Sequence, residues 1–287
     1  MSFSYTPRGT KLSRLAARIA SRWSDYPELR QALSVEAAVQ SNDGFRFQGF
    51  NANPLRGRIV QALAQALECT DFVETGCFRA ATALSAHSFL KLPVWSCEKN
   101  LGSYLLSRLL TAGLSGMSIY HGESVDFLRE RVTQFSANPT ATPLFFLDAH
   151  GGSDGTGRTG DSCPLLEELE TVLALPRLAV VVDDVALPGF IGGVYGEQSI
   201  DLQMLAPVLL KHGISSWRVP VYEASQDLGW PSGYCVFWRG IQADSAEFSR
   251  QFPLTLLGEQ SLNIPERSAR QADQQSAMLD AQGASRR

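Results

Sequence analysis

Glu74, Glu98, Glu123, Asp148 and the pair Asp183–Asp184 stand at the ends of five short apolar runs, Glu123 one turn residue beyond its own. A carboxylate at the mouth of a buried sheet is costly unless a cation or a hydrogen-bond donor meets it. Solvation explains any one of these acids. An acid closing every one of five runs points instead to a shared ligand.

After Glu74, the segment Thr75-Gly76-Cys77-Phe78-Arg79-Ala80-Ala81-Thr82 has the make-up of a strand-to-helix turn. Gly76 lets backbone approach a ligand, and a helix beginning there offers unpaired N–H groups. The dinucleotide pattern G-x-G-x-x-G is absent, since Ala80 stands where a small residue is wanted and no third glycine follows. A nicotinamide dehydrogenase is therefore disfavoured. Glu98 follows Glu74 at roughly the 20-residue spacing of an acid that holds ribose hydroxyls. His150, two residues past Asp148, has the chemistry of a general base near neutral pH; an exposed loop histidine is the alternative.

These residues need a frame. Apolar runs of strand length at 71–74, 94–98, 117–121, 144–148 and 178–182 alternate with helical patterns over 78–90, 101–112, 124–135 and 164–175. A helix over 54–67 precedes them, with Asn53 as N-cap and Pro54 at its first position. A helix over 201–212 and strands over 216–222 and 234–239 close the series. Such alternation predicts right-handed βαβ units and a parallel sheet, with ligands at the carboxyl ends of the strands. Phe145, Phe146 and Leu147 are apolar in succession, as a strand buried on both faces requires. Two glycine-rich loops, 151–160 and 187–196, follow strand ends and read as pocket lids or as plain connectors.

Taken in order, Glu74-Thr75-Gly76, Thr82, Glu98, Gly122-Glu123-Ser124 and Asp148 resemble the motifs of class I S-adenosylmethionine-dependent methyltransferases, over about residues 54–240. The resemblance implies a Rossmann-like, doubly wound α/β sheet of order 3-2-1-4-5-7-6, mostly parallel with an antiparallel last strand. It places Glu74 and Gly76 beside the methionine part of S-adenosylmethionine and Glu98 at the ribose, with Thr75 and Thr82 also in the cofactor-binding set. Glu123 and Ser124 fall beside the adenine, and Asp148 joins the cofactor-binding set. Ala80, where the family has glycine, is a departure that narrows the turn.

Asp148 with Asp183–Asp184 also resembles metal-dependent O-methyltransferases of the catechol and macrolide-sugar type. That resemblance implies one Mg²⁺ held by Asp148, Asp183 and Asp184, lowering the pKa of a substrate hydroxyl. Asp148 and His150 are then the catalytic candidates. Simple capping of a loop by Asp183 or Asp184 is the alternative. The stretch from Phe146 to His150, with Cys163 to Glu170, is similar to methyltransferase-like proteins associated with glycan or natural-product synthesis. The expected activity is therefore metal-assisted O-methylation of a small hydroxylated substrate such as a sugar; the rival is a non-catalytic cofactor or nucleotide binder.

Composition agrees with an ordinary globular chain, with 44% hydrophobic and 19% charged residues over 287 positions. A net charge of -4 gives no basic surplus for nucleic acid. Five dispersed cysteines without a C-x-x-C pair read as reduced thiols. No apolar run approaches the roughly 20 residues of a membrane span, and Arg14, Arg18 and Arg22 interrupt the N-terminal apolar pattern at helical spacing. The cytosol is the expected compartment, with no membrane or nucleic-acid partner and an oligomer left open. The expected division is a helical extension over 1–50, a core over 51–245, an extension over 246–264 and a disordered tail over 265–287.

Overall fold

The computed structural model describes residues 49–51, 53–149, 163–195, 198–221, 232–241 and 254–258. The N-terminal helical patterns, the 151–160 loop, His150 and the 265–287 tail lie outside them.

The first helix, α1 (Pro54–Ala66), starts as its sequence dictates. Asn53 accepts hydrogen bonds from the amides of Leu55 and Arg56, both at 3.0 Å, and proline opens the first turn. Strand β1 (Asp71–Thr75) follows, then α2 (Ala81–Leu90), β2 (Val94–Glu98), α3 (Leu101–Leu110), β3 (Met117–His121), α4 (Ser124–Ser136), β4 (Pro143–Leu147), α5 (Leu165–Val172) and β5 (Leu178–Val185). A short pair, β6 (Val194–Tyr195) and β7 (Gln198–Ser199), precedes α6 (Leu202–Lys211), β8 (Ser216–Pro220), β9 (Gly233–Arg239) and β10 (Leu254–Gly258).

The main sheet runs β3-β2-β1-β4-β5-β9-β8-β10. Strands β1 to β5 pair parallel, and β9 joins β5 antiparallel. With β8 and β9 counted as the sixth and seventh strands, this is the expected order 3-2-1-4-5-7-6. The addition is β10, which lies antiparallel along β8 and makes an eighth strand at the edge. All five residues of β4 are buried, as are Val180, Val181 and Val182 beside them. This is the interior of a sheet covered on both faces.

Winding reverses between β1 and β4. From β1 the chain steps to β2 and β3 on one side, while β4 and β5 lie on the other. The crevice at the carboxyl ends of β1 and β4 is therefore the natural ligand position in such a fold. Glu74, in β1, and Asp148, just past β4, both belong to that end of the sheet. Among the described residues, no helix is long and apolar enough to cross a membrane.

Two local departures from the expected elements matter for the site. Helix α2 begins at Ala81 and not at 78, because Phe78 and Ala80 take φ of +49° and +57°, outside the helical region. Strand β5 continues through the acidic pair to Val185, and its register against β9 shifts between Val182 and Val185. Asp183 and Asp184 thus sit in a bulge, and Asp184 has a left-handed φ of +54°. Bulges bend a strand and re-aim its side chains, often beside active sites.

Candidate functional site

Gly76 is required by the path of the chain. Its φ is +75°, and a Cβ there would lie 2.6 Å from the Asp148 carbonyl oxygen and 2.8 Å from the Ala149 Cα. The turn after β1 is thereby pressed against the chain leaving β4, and only glycine permits both the approach and the dihedral. Ala80 is a smaller exception. Its methyl is fully buried within the hydrophobic core, so it packs inward and does not line an open turn. Its left-handed φ costs on the order of 1 kcal/mol.

The same turn fixes Glu98. The Cys77 amide donates to the Cys97 carbonyl at 2.8 Å, which ties the turn to β2. The Phe78 amide donates to Glu98 Oε2 at 2.8 Å, and the Asn100 amide donates to Oε1 at 2.7 Å. Both carboxylate oxygens are held by backbone, and the residue is only 8% exposed. Held in this way, the Glu98 carboxylate has a fixed position at the end of β2.

Glu74 lies deeper. It is 1% exposed and accepts a 2.5 Å hydrogen bond from the Ser96 hydroxyl. Burial pushes its pKa from 4.5 to about 8, the Ser96 bond pulls it back in part, and the neighbouring Glu98 charge raises it again. The folded protein therefore keeps the Glu74 proton at pH values where an unfolded chain has released it. Stability is undiminished by this group below about pH 4.5 and falls as pH rises towards 8. A Glu74→Gln variant should show a flatter thermal midpoint over that range than the wild type. Equal slopes for the two proteins would show that Glu74 is not the group responsible.

Asp148 is partly exposed, and its backbone amide donates to Thr75 Oγ1 at 3.2 Å. Burial of its carboxyl raises the pKa well above the usual range. The charges of Asp183, Asp184 and Glu74 raise it further, and Arg56 opposes them. The Asp148 carboxyl thus holds its proton more readily than an ordinary aspartate.

Asp183 is where the geometry departs most from expectation. It is completely buried and forms an ion pair with Arg56, whose Nη1 donates to Oδ1. The Asp184 amide donates to the same oxygen at 2.8 Å, and the Asn51 side-chain amide donates to Oδ2 at 3.4 Å. Arg56 also donates through Nη2 to the Ser232 carbonyl at 2.6 Å and to the Ser232 hydroxyl at 3.2 Å, and it lies 4.9 Å from the Tyr234 ring centroid. Among the described residues, the buried Asp184 Oδ1 has no hydrogen-bond partner. Mg²⁺ binds through carboxylate oxygens in near-octahedral geometry, whereas Asp183 already holds a guanidinium. Among the described residues, no three of His, Cys, Asp and Glu are grouped to hold a metal ion. The expected triad of Asp148, Asp183 and Asp184 does not fit Mg²⁺, because one member is engaged by a built-in cation.

The remaining predicted residues divide. Thr75 is fully buried and donates to Glu168 Oε2 at 3.4 Å, so it links β1, β4 and α5 inside the protein. The Thr82 hydroxyl oxygen accepts from the Phe50 amide at 3.1 Å. Ser124 is buried, while the Glu123 side chain is 57% exposed and pairs with Lys99 at 3.0 Å. His150 falls outside the described residues. The second glycine-rich loop is tied down: the Gly193 amide donates to the Asp184 carbonyl at 2.6 Å, the Ala186 amide donates to Ile200, and Phe190 is buried.

Sequence reasoning missed Arg56, Ser96 and Glu168. For Arg56 a signal existed. It shares a helical face with Ile59, Val60, Leu63 and Leu67, all buried, so a charge on that stripe demanded a buried partner. A shallow hollow of 310 Å³ near Lys91 and Pro93 lies at the opposite, amino end of β2 and holds none of these acids.

No family model and no curated protein matches the chain. Among solved structures it is similar to an O-methyltransferase from Bacillus cereus in complex with SAH, at 15% identity and TM-score 0.45, covering 77% of this chain and 96% of that one. It is also similar to the O-methyltransferase TomG from Streptomyces achromogenes, involved in tomaymycin synthesis and solved with SAM, at 15% identity and TM-score 0.43, covering 74% and 89%. A third is the N-terminal domain of EvdMO1 in the presence of SAH and D-fucose, at 12% identity and TM-score 0.42, covering 74% and 97%. At such identities no residue role passes from these proteins to this chain.

Proposed function

We propose that the chain is an S-adenosylmethionine-dependent methyltransferase that methylates a hydroxyl group of a small molecule, a sugar being the acceptor class to test first. The observation that carries this reading is the placement of Glu98. A buried carboxylate is pre-set by two backbone amides at the end of β2, beside the turn from β1 and next to the crevice where the sheet reverses. This arrangement suits a ligand that presents vicinal ribose hydroxyls.

The cofactor supplies an electrophilic methyl on a positively charged sulfur. Glu74, at the end of β1, and Asp148, just past β4, stand at the same end of the sheet, where they offer hydrogen-bonding groups beside that sulfur. In the transfer the acceptor oxygen forms a bond to the methyl carbon as the carbon–sulfur bond breaks, and the hydroxyl proton passes to a base. Asp148, just past β4 at the mouth of that crevice, is one candidate for that base; His150, two residues on, is the other. Much of the acceleration comes from holding acceptor and donor in line. Metal assistance, read from the acidic triad, is not carried into this scheme, because Asp183 is engaged by Arg56. A non-catalytic cofactor binder, the reading that Ala80 favours, is the rival to this scheme.

The test is transfer of labelled methyl from the cofactor to a panel of sugars, catechols and other hydroxylated compounds. A labelled product that disappears in Asp148→Asn supports the scheme. Tight cofactor binding with no transfer across the panel would replace it with the binder reading.

A further inference from the structure

Arg56 stands in an unusual place for an arginine. It is fully buried on the core face of α1, and its guanidinium reaches the bulge of β5, the carbonyl before β9 and the Tyr234 ring. A guanidinium is planar, permanently charged and presents several donors in a fixed fork. Here one arm takes Asp183 and the other takes the Ser232 carbonyl and hydroxyl. Asp183 also accepts from the Asp184 amide and from Asn51, so neither of its oxygens is left without a donor.

We propose that Arg56 is the resident cation of the acidic mouth. It neutralises Asp183 where a divalent metal would otherwise sit and fixes the β5 bulge that presents Asp184. A divalent ion entering there would have to displace a guanidinium or lie beside it, and like charges in a buried setting repel strongly. The Asn53 cap and the proline at the first turn fix the start of α1, and so set where Arg56 falls. The ion pair stands independently of any reaction; only its consequence, hydroxyl methylation without a metal, rests on the methyltransferase reading.

The experiment follows free Mn²⁺ by electron paramagnetic resonance in the presence of the full chain, up to about millimolar metal. For the wild type, the free-ion signal should equal that of buffer alone. A signal loss that is abolished by Asp183→Asn would overturn the proposal. Arg56→Met, where it folds, should gain Mn²⁺ binding that Asp183→Asn removes again. A folded Arg56→Met protein that binds no Mn²⁺ would overturn the claim that the guanidinium holds the metal's place. If Arg56→Met does not fold, the wild-type titration decides alone. Calorimetry with S-adenosylhomocysteine on the same samples keeps failure of the cofactor reading distinct, since Mn²⁺ binding does not depend on it.

Discussion

Replacing Arg56 with Met should destabilise the protein by about 3–5 kcal/mol, because it strands the Asp183 carboxylate in the interior without its counter-charge. Both side chains are 0% exposed, so water cannot take over the lost partner. The Ser232 carbonyl loses a donor as well, and an unsatisfied buried acceptor costs roughly 1–3 kcal/mol. The matching change at Asp183 strands the guanidinium and should cost a similar amount. Joining Arg56→Met with Asp183→Leu removes both charges, so the double variant should be far more stable than the summed single losses imply. Denaturant midpoints of the four proteins measure this coupling. Additive losses would show that the pair is not the unit described. The Arg129–Glu167 pair is a useful contrast: its side chains are 57% and 60% exposed, and breaking it should shift stability by about 0–1 kcal/mol.

Glu98→Ala should weaken S-adenosylhomocysteine binding by about 100-fold while leaving the fold intact. On the proposed reading the change removes an acceptor for two ribose hydroxyls, and hydrogen bonds to a charged group contribute roughly 1.5–3 kcal/mol each. It also frees the Phe78 and Asn100 amides, so the turn after β1 loses one of its ties to β2. Glu98→Gln keeps one acceptor oxygen and should lose about tenfold. Isothermal titration of the three proteins resolves these values. Unchanged affinity in Glu98→Ala would remove the ribose assignment.

Most of the scaffold was legible because it follows from burial and periodicity. The successive apolar residues Phe145, Phe146 and Leu147 declared a strand covered on both faces, and all three are completely buried. Asn53 followed by Pro54 declared the start of α1. The strand-end acids were legible as positions, since an acid breaking an apolar run marks where a strand meets solvent or a ligand. Their partners were not. Arg56 lies far along the chain from Asp183 and meets it only through the packing of α1, which no local pattern encodes. Thr82, assigned to the cofactor from its place in a motif, has its hydroxyl on the Phe50 amide, a tertiary contact equally hidden from spacing. Glu123 was given an adenine-side place, yet its exposed carboxylate pairs with Lys99.

Edges were the other blind spot. Residues 254–258 fall in the expected extension over 246–264, yet they pair along β8. The extension of β5 through two aspartates was hidden because charges argue against a strand interior. The bulge, with Asp184 in a left-handed conformation, accommodates them.

The central claim is that the crevice beside Glu98 and Gly76 is built for S-adenosylmethionine. Titrating the full wild-type chain with S-adenosylhomocysteine in a calorimeter tests this most directly. Saturable heat at one site is the expected result, with affinity reduced about 100-fold by Glu98→Ala. A folded protein that gives no heat with this ligand would contradict it.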